Sequence, residues 1–391
     1  MGNRVFTLAP YVAGMHRRHF LLATGGAALG AAIQPVAAAA AARPVRVLVA
    51  TSEPWGTYHI EHLLDEASVA GRTIAMVVPD RSHLEEDDAT PVVTVAEAAA
   101  WGADVLVVNS ALEWPVRVAR ALSDVPVVAA SLAYLTPEEA PGAAELRPRL
   151  VAMTAGSGDE AGVFAAHFGV PRSHVAVVGN PALDDLPAHR SEPGSVVVAT
   201  SVTHPDETGE AAPGAELLMG VAGALADSGR AVRVGLHPRE DPALWSRFEI
   251  AEEGTVEASA RAEVCVGIPG SVFPNVAAVG CPLVGVTAPG LETPDYILSL
   301  CAAVTTRQDA LEAVDARWRP DSDALRRAIG PVGGSGERLW RRFESAAQRG
   351  PVVDTGWSAT TGPAPMVGAG LVLAGAALLG RGFSGAGHDE A

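Results

Sequence analysis

Residues Val175–Leu186 read V-A-V-V-G-N-P-A-L-D-D-L, and two later stretches have the same character. Arg233–Glu240 read R-V-G-L-H-P-R-E, and Val264–Val286 read V-C-V-G-I-P-G-S-V-F-P-N-V-A-A-V-G-C-P-L-V-G-V. Each stretch contains apolar runs that end in Gly, Pro, His or Ser, which suit a loop that holds a phosphate or a sugar. In an open α/β sheet, ligands bind beyond the carboxyl ends of the strands. The three endings therefore predict a site of the nucleotide-sugar type.

The rest of the chain alternates short apolar runs with segments of helical periodicity. Such runs are typical of parallel strands buried on both faces, and their alternation with helices indicates β-α-β units. We predict an α/β chain with two Rossmann-like, doubly wound parallel-sheet domains that face a cleft. Strands are predicted at Val45–Thr51, Thr73–Val78, Val105–Asn109, Val125–Ala130, Leu150–Thr154, Ser195–Thr200, Ala231–Leu236, Val264–Ile268 and Leu283–Thr287.

The domain boundaries follow from the same alternation. We place an N-terminal domain at residues 43–182 and a C-terminal, nucleotide-binding domain at residues 183–350. The stretch Leu183–Pro193, rich in Pro and charge, is the predicted hinge. A helix over Arg338–Gln348 is expected to cross back to the first domain.

The order of these segments resembles the second domain of the GT-B superfamily, and most closely that of CDP-glycerol glycerophosphotransferases and UDP-N-acetylglucosamine 2-epimerases. In those families a G-N-P-x-x-D segment opens the C-terminal domain, as at Gly179–Asp184 here. A strand ending in H-P follows, as at His237–Pro238, and then a loop that starts a helix, as at Gly270–Ser271. A G-K-P segment comes next, and Cys281 stands here in place of its Lys. The resemblance covers about residues 45–310.

The resemblance implies a GT-B-like fold in which the imidazole of His237 faces the diphosphate of a nucleotide-activated donor. In the family, the helix after the Gly/Ser loop usually carries a Glu that bonds a ribose hydroxyl. This chain has Pro274 and Asn275 in that region. Asn275 can bond a hydroxyl, but without the charge-assisted strength of a carboxylate.

Further donor contacts are expected around these positions, each with a simpler alternative. Arg239 is a candidate second phosphate ligand, or it pairs with Glu240. Gly270 and Ser271 stand at a helix start, which binds anions through free N–H groups, although Ser is also a common N-cap. Two more candidates are Glu292, in the segment where related families bond the sugar or ribose, and His204, which follows a strand.

The candidate catalytic residues lie after the first strand, where the acceptor would meet the cleft. His59 or Glu61 is a candidate general base, which needs hydrogen-bond reach and a pKa near neutrality. Both are also ordinary residues of a helix surface. The pair His59 and His62 could bind a metal, but a solvated helix face explains it equally simply, so we predict no metal site and no cofactor.

Composition excludes several classes of function. All 28 basic residues are Arg, so neither a Schiff-base lysine nor a P-loop lysine is possible. The net charge of −17 argues against nucleic acid as a partner, because binding it requires a basic patch. Cys265, Cys281 and Cys301 have no C-x-x-C spacing and are expected to be small buried side chains.

The two ends suggest the cell envelope. Residues 1–42 contain Arg17-Arg18-His19-Phe20 before an Ala-rich apolar run, which is the twin-arginine export pattern. Residues 351–391 hold a polar linker and an apolar run, Pro365–Gly380, that is a candidate membrane anchor. We therefore expect an envelope location, with membrane association through the terminal segments.

The combined prediction is a glycosyl- or glycerophosphotransferase of cell-envelope polymer synthesis, whose partners are a nucleotide-diphosphate donor and an envelope acceptor. Export conflicts with this prediction, because nucleotide-activated donors are cytoplasmic. Two alternatives stay open for that reason. The chain is then an exported solute-binding protein, or a catalytically inactive GT-B-like envelope protein, which the replaced Glu and Lys favour.

Overall fold

The computed structural model describes residues 44–349, apart from residues 53, 58–59, 85–88, 111, 133, 135 and 206–210. The predicted leader (1–42) and C-terminal segment (351–391) therefore lie outside the described residues. Within the described ranges, no helix is both long and apolar enough to cross a membrane.

The N-terminal lobe is built on a seven-stranded sheet. Its strands are β1 (Arg46–Ala50), β2 (Thr73–Val78), β3 (Val92–Thr94), β4 (Val105–Val108), β5 (Val127–Ala130), β6 (Leu150–Ala155) and β7 (Val175–Val177). All of them pair in parallel, in the order β3-β2-β1-β4-β5-β6-β7. Four α-helices connect them: α1 (Leu64–Ala70), α2 (Val95–Trp101), α3 (Glu113–Ala121) and α4 (Gly158–Phe168).

The C-terminal lobe repeats this architecture on a six-stranded sheet. Its strands are β8 (Ser195–Ala199), β9 (Ala231–Gly235), β10 (Glu249–Ile250), β11 (Val264–Gly267), β12 (Leu283–Val286) and β13 (Ala302–Val304). They are again parallel, in the order β10-β9-β8-β11-β12-β13. Its helices are α5 (Ala215–Asp227), α6 (Thr255–Ser259), α7 (Val272–Val279), α8 (Asp295–Leu298), α9 (Arg307–Ala316) and α10 (Ser322–Ile329).

Strand β1 shows why the strands are unbroken apolar runs. Val47 and Val49 pack into one core cluster, whereas Leu48 and Ala50 pack into another. Successive side chains of a strand point to opposite faces of the sheet, so apolar clusters cover both faces. The predicted doubly wound parallel sheets are thus confirmed, and the three cysteines are free and buried, as expected.

The last helix, α11 (Ser335–Arg349), returns to the N-terminal lobe, which confirms the predicted crossing. Its apolar face places Leu339, Trp340 and Phe343, all fully buried, in the same core cluster as β1. Arg72 fixes the outer side of this helix, because its guanidinium binds both Glu337 and Glu344 at 2.7 Å. Burial of two aromatic side chains dominates this attachment.

The G-N-P-x-x-D segment joins the lobes rather than lining a ligand cleft. Gly179 has φ +84°, and a Cβ at that position would stand 2.5 Å from the carbonyl oxygen of Pro331. Only glycine fits such a backbone at so close an approach. The carboxylate of Asp184 accepts the backbone N–H of Gly336 at 2.8 Å, and Arg338 donates to the carbonyl of Val178 at 2.7 Å. The segment therefore anchors the start of α11.

Candidate functional site

Three neighbouring strands of the C-terminal lobe, β9, β8 and β11, end in register, and β12 ends one residue later. Gly235, Ala199, Gly267 and Gly285 form one row across β9, β8, β11 and β12. Small residues are needed there, since a Cβ on Gly267 would stand 2.6 Å from the carbonyl oxygen of Ala199. The loops beyond the row carry the predicted donor contacts. The strand order changes direction between β8 and β11, which is the switch point where α/β sheets bind ligands.

His237 is held by its own loop, two residues beyond the end of β9. Its backbone N–H donates to Thr200 Oγ1 at 2.7 Å, and its ring Nδ1 accepts the backbone N–H of Arg239 at 3.2 Å. Because Nδ1 is an acceptor, the neutral ring carries its proton on Nε2. The half-buried imidazole is therefore oriented as a hydrogen-bond donor through Nε2.

The other predicted ligands near His237 are Arg239, in the same loop, and His204, in the loop after β8. Glu240 is buried, and its carboxylate accepts the Thr203 hydroxyl at 2.6 Å and the backbone N–H of Asp241 at 2.9 Å. These bonds stabilise the loop behind His237. His237 and Arg239 are half-buried, and neither lines the cleft described below. His204 is exposed after the end of β8.

Ser271 stands at the start of α7 without capping it. Its backbone has helical angles, φ −60° and ψ −21°, and its side chain makes no capping hydrogen bond to the helix. The first N–H groups of a helix have no partner within the helix, and the helix dipole adds positive charge there. Ser271 therefore occupies the N-cap position of α7 without a capping hydrogen bond, and the residue is exposed at a helix end suited to an anion.

A cleft of about 240 Å³ lies between the two lobes at this helix end. From the C-terminal lobe it is lined by Pro269, Gly270, Ser271, Glu292, Thr293, Pro294 and Ile297. From the N-terminal lobe it is lined by Ser52, Ser110, Leu112, Tyr134, Thr136 and Glu138. Three of the predicted residues, Gly270, Ser271 and Glu292, thus line one cleft.

The cleft widens beyond the segment Thr293–Pro294. A cavity of about 850 Å³ shares Thr136 and Glu292 with the cleft and extends to Asp159 and Tyr296. Ligand pockets for small molecules are commonly about 300–1,000 Å³. The combined space is therefore large enough for a nucleotide-sized ligand.

The N-terminal lobe contributes its own switch point to the cleft. Its strand order changes direction between β1 and β4, and Ser52 and Asn109 follow those two strands. The backbone N–H of Ser52 donates to Asn109 Oδ1 at 2.9 Å, which ties the two loops together. The cleft therefore lies at the carboxyl ends of both sheets, as expected for doubly wound domains.

Glu138 is the cleft residue that sequence reasoning missed. Burial raises the pKa of its carboxyl, and the negative charge of Glu292 on the opposite lobe raises it further. A carboxyl with a raised pKa in a cleft is a candidate acid or base. The available signal was the adjacent pair Glu138-Glu139 after β5, but nothing in that pair reveals that Glu292 faces it.

The neighbouring Glu139 has the opposite environment. Burial opposes ionisation of its carboxyl, but the hydrogen bond and charge of Arg147, together with His167, outweigh burial and lower its pKa. Arg147 Nε donates to it at 2.9 Å. Two adjacent carboxyls whose pKa values are moved apart are typical of acid–base sites, where one is protonated and the other charged. Here Glu138 is the carboxyl with the raised pKa, and Glu139 is the one with the lowered pKa.

The remaining predicted residues lie elsewhere. Asn275 is half-buried within α7, and its Oδ1 is buried without a hydrogen-bond partner in the described part of the chain. Glu61 is exposed on a short 3-10 helix and does not line the cleft. His59 lies outside the described residues. Among the described residues, no group of three or more His, Cys, Asp or Glu side chains is placed to hold a metal ion.

Solved structures with the same two-lobed architecture place the chain in a known fold. It superposes on UDP-GlcNAc 2-epimerase of Methanocaldococcus jannaschii, a structure in complex with UDP-GlcNAc and UDP, with a TM-score of 0.54. The two sequences are 15% identical, and the match covers 77% of this chain and 99% of the epimerase. The chain has the GT-B fold. The S. aureus MnaA–UDP co-structure gives 0.54 at 12% identity, covering 78% and 97%. MurG of Acinetobacter baumannii, also a GT-B protein, gives 0.51 at 11% identity, covering 77% and 100%.

Sequence comparison adds nothing to this assignment. No family model matches the chain, and no curated protein matches it. At such low identities the structural likeness establishes the GT-B fold alone. The predicted fold and the predicted resemblance are thereby confirmed, whereas the assignment of site residues rests on the geometry of the cleft.

Proposed function

We propose that this GT-B protein transfers a glycosyl or glycerophosphoryl group from a nucleoside-diphosphate-activated donor to an acceptor. One observation carries the proposal: the start of α7 in one lobe, where Ser271 makes no capping hydrogen bond, shares a cleft with Glu138 in the other lobe, whose carboxyl has a raised pKa. Diphosphate binding and proton transfer are the two elements that such a transfer requires.

The C-terminal lobe would hold the donor. Strands β9 and β11 lie on either side of β8, so their ends are about 10 Å apart. The donor would extend from the cleft at Ser271 toward the loop of His237, so that the two residues bind one diphosphate ester from different sides. His237 donates through Nε2, and the hydroxyl and free N–H groups at the start of α7 donate from the other side. Fixed donors of this kind stabilise the charge that develops on a leaving diphosphate.

Glu138 would act from the N-terminal lobe on the acceptor or on the reacting group. A carboxylic acid can donate to a leaving oxygen, and its conjugate base can accept the acceptor's hydroxyl proton. The negative charge of Glu292 on the opposite lobe favours the protonated form of Glu138 by raising its pKa. His59 and Glu61 stay proposals for the base, with Glu138 favoured because it lines the cleft.

Two neighbours support a uridine nucleotide as the first donor class to test, since UDP is present in the M. jannaschii and S. aureus structures. A role in cell-envelope polymer synthesis, with an envelope acceptor and membrane association through the terminal segments, is part of this proposal. It rests on the twin-arginine pattern and the apolar C-terminal run.

Thermal shift of the full chain against UDP, CDP, GDP and their sugar or glycerol conjugates tests donor binding. At a ligand concentration one hundred times Kd, binding stabilises the native state by about 2.7 kcal/mol. For about 300 ordered residues this raises Tm by about 4 °C. His237→Ala and Ser271→Ala should each reduce the shift, and His174→Ala, which removes an exposed imidazole of the N-terminal lobe, should not.

The nucleotide product then distinguishes the reactions. Transfer of a glycosyl group breaks the bond between sugar carbon and phosphate oxygen and releases a nucleoside diphosphate. Transfer of glycerophosphate breaks the diphosphate linkage and releases a nucleoside monophosphate. Donor binding without release of either product would favour an inactive GT-B protein, and the absence of any nucleotide shift would favour a solute-binding protein.

A further inference from the structure

The N-terminal lobe contains a second cavity, separate from the cleft, with a volume of about 60 Å³. It lies between strands β4 and β5 and helices α3 and α4, and hydrocarbon side chains form most of its wall: Val116, Ala119, Ala129, Leu146, Phe164 and Phe168. Ala129 shows that it is not filled by protein, because this residue stays partly exposed although β5 lies inside the sheet.

One strong polar group faces this apolar wall. Asn109 lines the cavity and is 4% exposed, and its Nδ2 is buried without a hydrogen-bond partner in the described part of the chain. The orientation of the amide is fixed, because Oδ1 accepts the backbone N–H of Ser52 at 2.9 Å. Exchanging the oxygen and nitrogen would set two donors against each other. An unpaired buried donor is costly, so this amide is suited to an acceptor atom that a ligand brings.

The cavity lies directly beside the proposed catalytic cleft. Ser110 and Glu138 line both spaces, and Ser110 Oγ is also buried without a partner in the described residues. The two other charged residues of the wall, Glu139 and Arg147, are paired with each other, and Glu139 also binds His167. A group bound in the cavity would therefore belong to a molecule whose reacting part lies next to Glu138.

We propose that the cavity binds a short acyl group, with its carbonyl oxygen on Asn109 Nδ2 and its alkyl end against the apolar wall. The volume of about 60 Å³ accommodates about two water-sized groups, which matches an acetyl or propionyl chain. A purely apolar group would leave Asn109 unpaired, and a charged group would lose its solvation against hydrocarbon. If the proposed function holds, the acceptor is the substrate that carries this acyl group, because the donor diphosphate lies on the other lobe.

Saturation-transfer NMR on the full chain tests the proposal with small probes. N-methylacetamide and methyl acetate represent N-acyl and O-acyl sources, and N-methylpivalamide is the oversized control. We expect saturation of the acetyl methyl of at least one small probe and none of the pivaloyl methyls. Asn109→Asp keeps the acceptor for Ser52 but removes the donor, so it should weaken binding about tenfold. Ala129→Val, which adds two methyl groups to the cavity, should do the same.

Each outcome decides the matter. Equal binding of acetyl and pivaloyl probes, or no binding of either acetyl probe, overturns the proposal without any variant. Unchanged affinity in a correctly folded Asn109→Asp protein also overturns it. The nucleotide-induced thermal shift of the wild type is measured separately. A shift without acyl binding overturns this inference alone, and acyl binding without a shift overturns the proposed function alone.

Discussion

Two buried tyrosines at the lobe junction make a matched pair for testing the structure. Tyr134 and Tyr296 are 2% and 5% exposed and belong to the same core cluster. The hydroxyl of Tyr134 donates to the carbonyl oxygen of Ile329 at 2.5 Å and joins the two lobes. The hydroxyl of Tyr296 has no partner among the described residues. Burial and the charge of Glu160 raise the pKa of both phenols, so both are neutral donors.

Replacing each tyrosine by phenylalanine should therefore have opposite consequences. Tyr134→Phe leaves the buried carbonyl of Ile329 unpaired, which costs about 1–3 kcal/mol of unfolding free energy. With an unfolding entropy of about 0.6 kcal/mol/K for about 300 residues, Tm should fall by about 2–5 °C. Tyr296→Phe removes a buried hydroxyl that bonds to nothing, so stability should stay unchanged or rise by about 1 kcal/mol.

Urea unfolding and thermal melting of the full chain measure both variants. The phenyl ring is retained in each, so the difference between the variants reports the hydroxyl groups alone. Equal losses in the two variants would refute the assignment of one bonded and one unbonded hydroxyl. No loss in Tyr134→Phe would refute the bond that joins the lobes.

Two further pairs of variants test the junction and the cleft. Gly179→Ala places a methyl against Pro331 on a left-handed backbone and should cost about 3–5 kcal/mol of unfolding free energy, measured by urea unfolding. Gly169 has φ +65° and no neighbour within 4 Å. Gly169→Ala should therefore cost only about 1–2 kcal/mol in the same assay. The raised pKa of Glu138 means that the wild type loses stability relative to Glu138→Gln as pH rises through that pKa. Because the pKa of Glu139 is lowered, the wild type loses stability relative to Glu139→Gln as pH falls through it.

For each pair of variants, one result would contradict the prediction. Similar losses in the two glycine variants would show that the left-handed backbone alone, rather than the contact with Pro331, sets the cost. Unfolding free energies measured from about pH 3 to pH 8 should give differences of opposite slope for the two glutamate variants. Slopes of the same sign would contradict the opposite pKa shifts of Glu138 and Glu139.

The inner strands could be predicted because burial on both faces makes each one an unbroken apolar run. Strand β4, for example, is VLVV and fully buried. Strands β3, β10 and β13 were not predicted, since they have three, two and three residues and lie at sheet edges. Runs that short show no periodicity.

The site was predictable only where one local segment determines it. Gly270 and Ser271 could be recognised because the end of β11 and the start of α7 are adjacent in the chain. Glu138 could not, because its environment depends on Glu292, which folding brings across from the other lobe. The acyl cavity was equally hidden, since its key feature is the orientation that Ser52 imposes on Asn109.

The chain passes between the lobes twice, at residues 178–194 and 330–334, and the two passages touch where Gly179 meets Pro331. Two adjacent crossings define a single hinge axis, so the lobes can rotate about that axis and resist rotation about any other. A proteolytic nick at residues 330–334 would leave the lobes covalently joined through residues 178–194. A nick at residues 178–194 would instead divide the chain into two fragments, held together by the buried face of α11, with Leu339, Trp340 and Phe343 in the N-terminal core.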